Sequence, residues 1–331
     1  MLKIVFMGSD PIALPVLDWL AGPGSGAKLV GVFTQPDRPA GRGQQVAPNE
    51  IKAWALAHHL PVLQPEKFGP AEREDLAALR PDLTLVMAYG HILRQPVIDT
   101  PRLGTLNLHT SILPAYRGAS PIQTAVACGE TTTGVTLMKM VLALDAGPVA
   151  DVERVKIAPL DTAAEVGTKL AAAGVPLLAR CLPRIATGRQ EFTPQDESRA
   201  SYCRRLAKAD GVLDFHAPAA NLAARVNGLT PWPGCTVEIN SQVVKVGLAD
   251  MVALNDYRPA AIGEVMGADA HGLLVGTGQR KLRLRLLQRP GGRMLPAGEF
   301  LRGFPVAPGT LLPSRPMPPL VAAAPFPRAR G

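Results

Sequence analysis

Three polar residues alternate in the middle of the chain: Asn107, His109 and Ser111 in the run NLHTS. In an extended segment every second side chain shares a face. An amide, an imidazole and a hydroxyl would therefore point the same way. An amide N–H can hold a developing oxyanion, and an imidazole can take up or release a proton near neutral pH. Taken alone, a histidine after a strand also has an ordinary structural reading, and the three residues do not decide between the two. A second element is Asp145, in GVTLMKMVLALDAGP (134–148). Its carboxylate could support a protonated imidazole, although an Asp before Ala-Gly-Pro also serves simply to shape a turn. The two segments gain specificity only together.

The elements that must position these residues follow from periodicity. Residues 2–7 (LKIVFM) read as a buried parallel strand that ends at Gly8. A helix is expected over 11–21, a strand over 29–34, a helix over 49–59 and a short strand over 61–63. The same alternation predicts a helix over 70–79, strands over 83–88 and 105–109, a helix over 121–128 and a strand over 134–139. Strand-like segments around 149–157 and a helix over 162–185 complete this part. Such alternation is the mark of an α/β fold with a Rossmann-like parallel sheet and helices on both faces. Polar groups at the carboxyl end of such strands sit where open α/β sheets bind their ligands.

The chain has 331 residues, enough for two domains, and 47% of them are hydrophobic. The sequence divides into an α/β domain over 1–189, a polar linker over 190–206 and a C-terminal domain over 207–312. A Pro-rich tail over 313–331 is expected to be disordered. Beyond a helix at 218–227, short runs at 236–239, 242–248, 263–266, 273–276 and 281–288 predict a small OB-like β-barrel. No apolar run reaches the roughly 20 residues of a membrane span, and no secretory leader is expected ahead of the first strand. Four scattered cysteines without a CxxC pair suggest reduced thiols in a cytoplasmic protein and no metal site.

Charge is unevenly spread. Residues 1–199 are balanced, so the whole excess of +8 lies in 200–331. That asymmetry suggests a polyanionic partner, with a solvated basic face as the alternative. Within it, Lys281, Arg283 and Arg285 alternate with Leu in RKLRLR (280–285) and would line one strand face. In TQPDRPAGRG (34–43), Arg38 and Arg42 flank Pro-Ala-Gly, giving a loop that presents two guanidiniums suited to phosphate or a guanine edge.

The runs Asn107–Pro114 (NLHTSILP) and Asp145–Gly147 (DAG) together resemble the 10-formyltetrahydrofolate-dependent formyltransferases. Further stretches similar to that family are GSD (8–10), AYGHIL (88–93), NGLTPWPG (227–234) and LQRPGG (287–292), so the likeness extends to about residue 312. Ser9, Thr110, Ile112 and Ala146 depart from its usual residues, and none of these removes a catalytic side chain. The resemblance implies Asn107, His109 and Asp145 as the catalytic trio of a metal-free reaction, with Asn107 and His109 stabilising the oxyanion of a tetrahedral intermediate and Asp145 assisting proton transfer. It implies a folate pocket on Ser111, Ile112, Leu113 and Pro114 and on Tyr89, Gly90 and Ile92. It further implies the members that formylate the α-amino group of methionyl initiator tRNA, with Arg38, Arg42, Lys281, Arg283 and Arg285 as tRNA contacts and a monomeric state. A same-family enzyme acting on a small amine, such as an amino-sugar nucleotide or a purine precursor, would need neither the basic C-terminal part nor the Arg loop. A non-catalytic RNA-binding protein would not need the trio. A dinucleotide oxidoreductase is disfavoured because Gly8-Ser9-Asp10-Pro11 holds no GxGxxG.

Overall fold

The computed structural model describes residues 1–40, 45–252 and 260–327. They form two compact units: Met1–Arg117, Gly134–Val155 and Gly167–Ala200 in the first, and Gly118–Thr133, Lys156–Val166 and Ser201 onward in the second.

A seven-stranded sheet organises the first unit. Its strands are β1 (Leu2–Met7), β2 (Ala27–Phe33), β3 (Val62–Leu63), β4 (Leu83–Val86), β5 (Thr105–His109), β6 (Thr132–Lys139) and β7 (Val149–Lys156). Their spatial order is β7-β6-β5-β4-β1-β2-β3. Strands β1 to β5 pair in parallel, and β6 runs antiparallel to β5. Ile4, Val5, Phe6 and Met7 are fully buried, as a central parallel strand covered on both faces requires. Helix α1 (Leu14–Ala21) buries Val16, Leu17 and Leu20. In α2 (Glu50–Ala57) the Asn49 side chain accepts from the backbone N–H of Lys52 at 3.0 Å, the N-cap that starts the helix. Helix α3 (Pro70–Ala78) contributes Leu76 to a core with Phe33, Val86, Leu93 and Ile98.

The strand order reverses between β1 and β4, so the chain leaves their carboxyl ends in opposite directions and opens a crevice there. Two backbone bonds draw its walls together: Gly8 N–H donates to the Phe33 carbonyl at 3.0 Å, and Ser9 N–H to the Ala88 carbonyl at 3.1 Å. A Cβ on Gly8 would stand 2.7 Å from the Met87 carbonyl oxygen, which is why this turn takes a glycine.

The second unit carries an antiparallel six-stranded sheet curled into a half-barrel. Its main path is β8 (Cys235–Ile239), β9 (Gln242–Val252), β12 (Lys281–Gln288), β11 (Leu273–Gly276) and β10 (Val265–Ala268), with Leu295–Pro296 added beside β12. Irregular pairing at Val246–Ala249 breaks the β9 ladder, and such bulges bend a strand. Of the helices α4 (Pro121–Ala127), α5 (Ala163–Ala186) and α6 (Ala219–Gly228), α5 belongs mainly to the first unit, and in the second α6 packs on β9 through Leu222 and Val226. Its buried Asn227 amide bonds both to the N–H and to the carbonyl of Ala249, at 3.0 Å each. Helix α7 (Ala297–Gly303), which periodicity missed, adds Phe300 to this core.

One expectation gains detail and another needs correction. Residues 190–206, expected as a linker, carry local structure of their own. Thr193 pairs with Val149, and Glu197–Arg199 forms a 3-10 turn. Residues 313–327 are not a disordered tail. Val321–Ala322 pairs with Tyr202–Cys203, Leu320 is buried, and the Pro319 and Pro318 carbonyls accept from Arg204 and Arg225 at 3.1 Å each. Proline lacks an N–H but keeps its carbonyl, so a Pro-rich segment can lie extended and satisfy arginine guanidiniums. Residues 328–331 lie outside the described residues.

Asp210, buried in this unit, accepts from Arg204 at 2.6 and 2.8 Å and from the Ala207 N–H at 2.7 Å. Burial pushes its pKa up, but those donors outweigh burial and hold it below the usual carboxylate value. Its stabilisation is therefore complete above that ordinary value and is lost as pH falls through the lower folded-state value. Asp210→Asn should cost about 3 kcal/mol at pH 7 in urea unfolding, and the gap to wild type should close below about pH 4. Leu320→Ala should cost about 2–3 kcal/mol, where a disordered tail would register no change.

Candidate active site

The carboxyl end of β5 carries Asn107 and His109 on one face, opposite Met138 and Thr136 of β6. His109 is 6% exposed, and its Nδ1 lies 3.7 Å from Asp145 Oδ2. That separation suits an ion pair once the ring is charged and is too long for a hydrogen bond. On the other side of the ring, Nε2 stands 3.0 Å from the Tyr116 carbonyl oxygen. A carbonyl only accepts, so Nε2 carries a proton and Nδ1 is the nitrogen that changes state, facing the carboxylate. Donation from His109 to an oxyanion beside Asn107, as the family resemblance implies, would have to come from Nε2. In this conformation Nε2 would first have to release Tyr116.

Backbone geometry sets this arrangement. Tyr116 and Asp145 both adopt left-handed φ, at +60° and +49°, which costs a residue with a Cβ about 1–2 kcal/mol. Gly147 lies so close to the Lys139 carbonyl that a Cβ there would collide with it.

What holds the Asp145 turn was not legible in the sequence. The Gln195 Nε2 donates to the Asp145 and Gly147 carbonyls at 2.8 Å each. The Gln195 Oε1 accepts from Arg117 Nη2 and Nε at 2.8 and 3.1 Å. Arg117, only 1% exposed, also forms a bidentate pair with Glu197 at 2.6 and 2.8 Å. Hydrogen bonding from Arg117 holds the Glu197 carboxyl below the usual range. Gln195 and Glu197 lie in the stretch that composition assigned to a linker. The only available signal was Arg117 itself, in the loop after His109.

The residues expected at a folate pocket divide by exposure. Ser111 is fully buried, and its hydroxyl donates to the Ala115 carbonyl at 2.6 Å. Leu113 and Tyr89 are buried as well, so these three offer main-chain groups rather than side chains. Thr136 Oγ1 donates to the Ser111 carbonyl at 2.6 Å and accepts from the Leu113 N–H at 3.1 Å, fixing the loop against β6. Ile112 packs near Gly134, and Pro114 follows a cis peptide bond. Gly90 takes φ +81°, and Ile92 is 76% exposed. The Tyr89 carbonyl accepts from Ser9 Oγ and from Gln35 Nε2, tying the β1 and β4 ends to the segment after β2.

Arg38 begins a two-stranded hairpin, Arg38–Ala40 with Gln45–Ala47. Beside it, Asp37 is held by Lys52 and Gln64. Arg42 lies outside the described residues. The basic face of β12 is not a row of unengaged cations. Arg283 pairs with its cross-strand neighbour Asp250 at 3.0 Å and with Asp269 at 2.6 Å, and Arg285 pairs with Asp250 at 3.0 Å. Lys281 is buried. Alternation revealed where the arginines stand and concealed the carboxylates that neutralise them. A cavity of about 580 Å³ lies in the second unit, lined by residues such as His216, Glu238 and Ser314.

Residues 2–182 match the formyl transferase family, and residues 205–305 match the formyl transferase C-terminal domain. A methionyl-tRNA formyltransferase from Aromatoleum aromaticum is 41% identical over 309 residues, covering 93% of this chain and 96% of that protein. One from Pseudomonas fluorescens is 43% identical over 295 residues, covering 89% and 91%. Among solved structures, an N-formyltransferase from Helicobacter canadensis in complex with folinic acid and dTDP-3-aminofucose superposes with a TM-score of 0.64. At 17% identity, over 86% of this chain and 99% of that one, it shares the fold. The chain belongs to the formyl transferase family.

Proposed function

We propose that this chain transfers the formyl group of 10-formyltetrahydrofolate to the α-amino group of methionyl initiator tRNA. The observation that carries this reading is the His109–Asp145 pair beside Asn107 at the carboxyl end of β5, in a chain whose near-full-length relatives bear the name methionyl-tRNA formyltransferase. The folate donor is supported by the family and by the folinic acid bound to the similarly folded N-formyltransferase. Main-chain groups of Ser111–Pro114 and Tyr89–Gly90, with the exposed Ile92, are the proposed pocket. The reading carries with it a cytoplasmic monomer.

In the proposed reaction the neutral amine attacks the formyl carbon. A C–N bond forms, and negative charge moves to the formyl oxygen. The Asn107 amide donates to that oxygen. The proton released by the attacking nitrogen passes to His109 Nδ1, and Asp145 stabilises the resulting imidazolium. Collapse breaks the bond between the formyl carbon and the folate nitrogen, which takes the proton held on His109 as it leaves and returns the imidazole to neutral. The amine needs no covalent enzyme intermediate.

For the acceptor, Arg38, at the start of the strand pair after β2, and Arg42 are the proposed tRNA contacts. The intramolecular pairing of Arg283 and Arg285 and the burial of Lys281 make β12 the weaker phosphate track.

The test is a formylation assay with 10-formyltetrahydrofolate and charged initiator tRNA. His109→Ala should lower kcat by about 10²–10⁴-fold, with the KM for tRNA within about threefold of wild type. Arg42→Ala should raise that KM by about tenfold with kcat largely kept. Full activity in His109→Ala would overturn the mechanism. Equal wild-type rates on free methionine or on an amino-sugar nucleotide would overturn the acceptor.

A further inference from the structure

We propose that Gln195 is a positioning residue of this site: it locks the Asp145–Gly147 turn so that the Asp145 carboxylate faces His109, and Arg117 locks Gln195. The inference rests on the reading that His109 and Asp145 move the reaction's proton.

Both hydrogens of the Gln195 amide are committed, one to each of the Asp145 and Gly147 carbonyls. Its oxygen is equally committed, to two nitrogens of the Arg117 guanidinium. Reversing the amide would set oxygen against two carbonyls and NH2 against a cation, so chemistry alone fixes its orientation. The amide type is itself informative. A glutamate at 195 would pair more strongly with Arg117 but could not donate to either carbonyl. A position serving only to neutralise Arg117 would suit a carboxylate, and Glu197 already does that. What the amide adds is directed at the turn.

The turn needs that support. Asp145 sits in the left-handed region without being glycine, a conformation that persists only where neighbours impose it. Gly147 cannot be replaced by a bulkier anchor, because the Lys139 carbonyl occupies the space a Cβ would take. The positioning runs from Glu197 through Arg117 and Gln195 to two carbonyls, and from there to a carboxylate 3.7 Å from His109 Nδ1. A misplacement of about 1 Å at such a carboxylate can cost about 10²-fold in rate.

The experiment uses the full chain carrying Gln195→Glu, with Gln195→Met as an uncharged second variant should the first fail to fold. Hydrogen exchange of the peptide spanning 140–148 should quicken by about tenfold or more, while peptides from β1 and β2 stay as in wild type. With charged initiator tRNA and the folate donor, kcat should fall about 10–100-fold and both KM values should stay within about threefold. In an Asp145→Asn background the same change should cost less than about twofold, because a residue acting through Asp145 has nothing left to position. Unchanged exchange at 140–148, or a loss that multiplies undiminished with Asp145→Asn, would overturn the proposal. The exchange measurement needs no substrate. A wild-type protein without formyl transfer would thus defeat the functional reading while Gln195 is still judged on its own.

Discussion

A guanidinium taken out of water must find partners for its charge and its N–H groups, or the protein pays several kcal/mol. Arg117 is almost wholly enclosed, and the site follows from how that demand is met. Glu197 supplies the charge, and Gln195 takes further donors and passes the constraint on as two N–H bonds to the Asp145 turn. Arg117 follows directly on Tyr116, whose carbonyl fixes the His109 ring. One buried cation therefore stands at the meeting point of both loops that orient the imidazole and the carboxylate.

Periodicity was a good guide where the signal is local. The strand TLNLH was read at its observed limits, 105–109, and its alternation correctly set Asn107 and His109 on one face. The strand–helix alternation was equally plain, because a parallel strand buried on both faces leaves an unbroken apolar run such as LKIVFM. Ser111 shows the limit of the same logic. Its position continued the alternation, but β5 ends at His109 and the Ser111 hydroxyl turns inward to Ala115.

Long-range partnership was not legible. Gln195 lies 78 residues from Arg117 and sits in a polar stretch whose composition signals exposure. Asp250 lies 33 residues from Arg283, so a basic strand face resembled a phosphate track until its cross-strand neighbour was known. The Pro-rich C-terminal segment misled for another reason. Proline content argues against helix and sheet interior, but says nothing about extended chain whose carbonyls serve arginines, as those of Pro318 and Pro319 do for the buried Arg225 and the partly exposed Arg204.

Much of this site is written in main-chain atoms. The oxygen that fixes the imidazole is the Tyr116 carbonyl, the oxygens gripped by Gln195 are those of Asp145 and Gly147, and the crevice is drawn together through Ala88 and Phe33. Side-chain truncation leaves such atoms in place, so an alanine scan would overlook the part that the carbonyl of residue 116 plays. The informative series at 116 would vary backbone preference instead: asparagine and glycine accept a left-handed φ, whereas valine and isoleucine resist it. The share of the response that belongs to the carbonyl would then track conformational propensity.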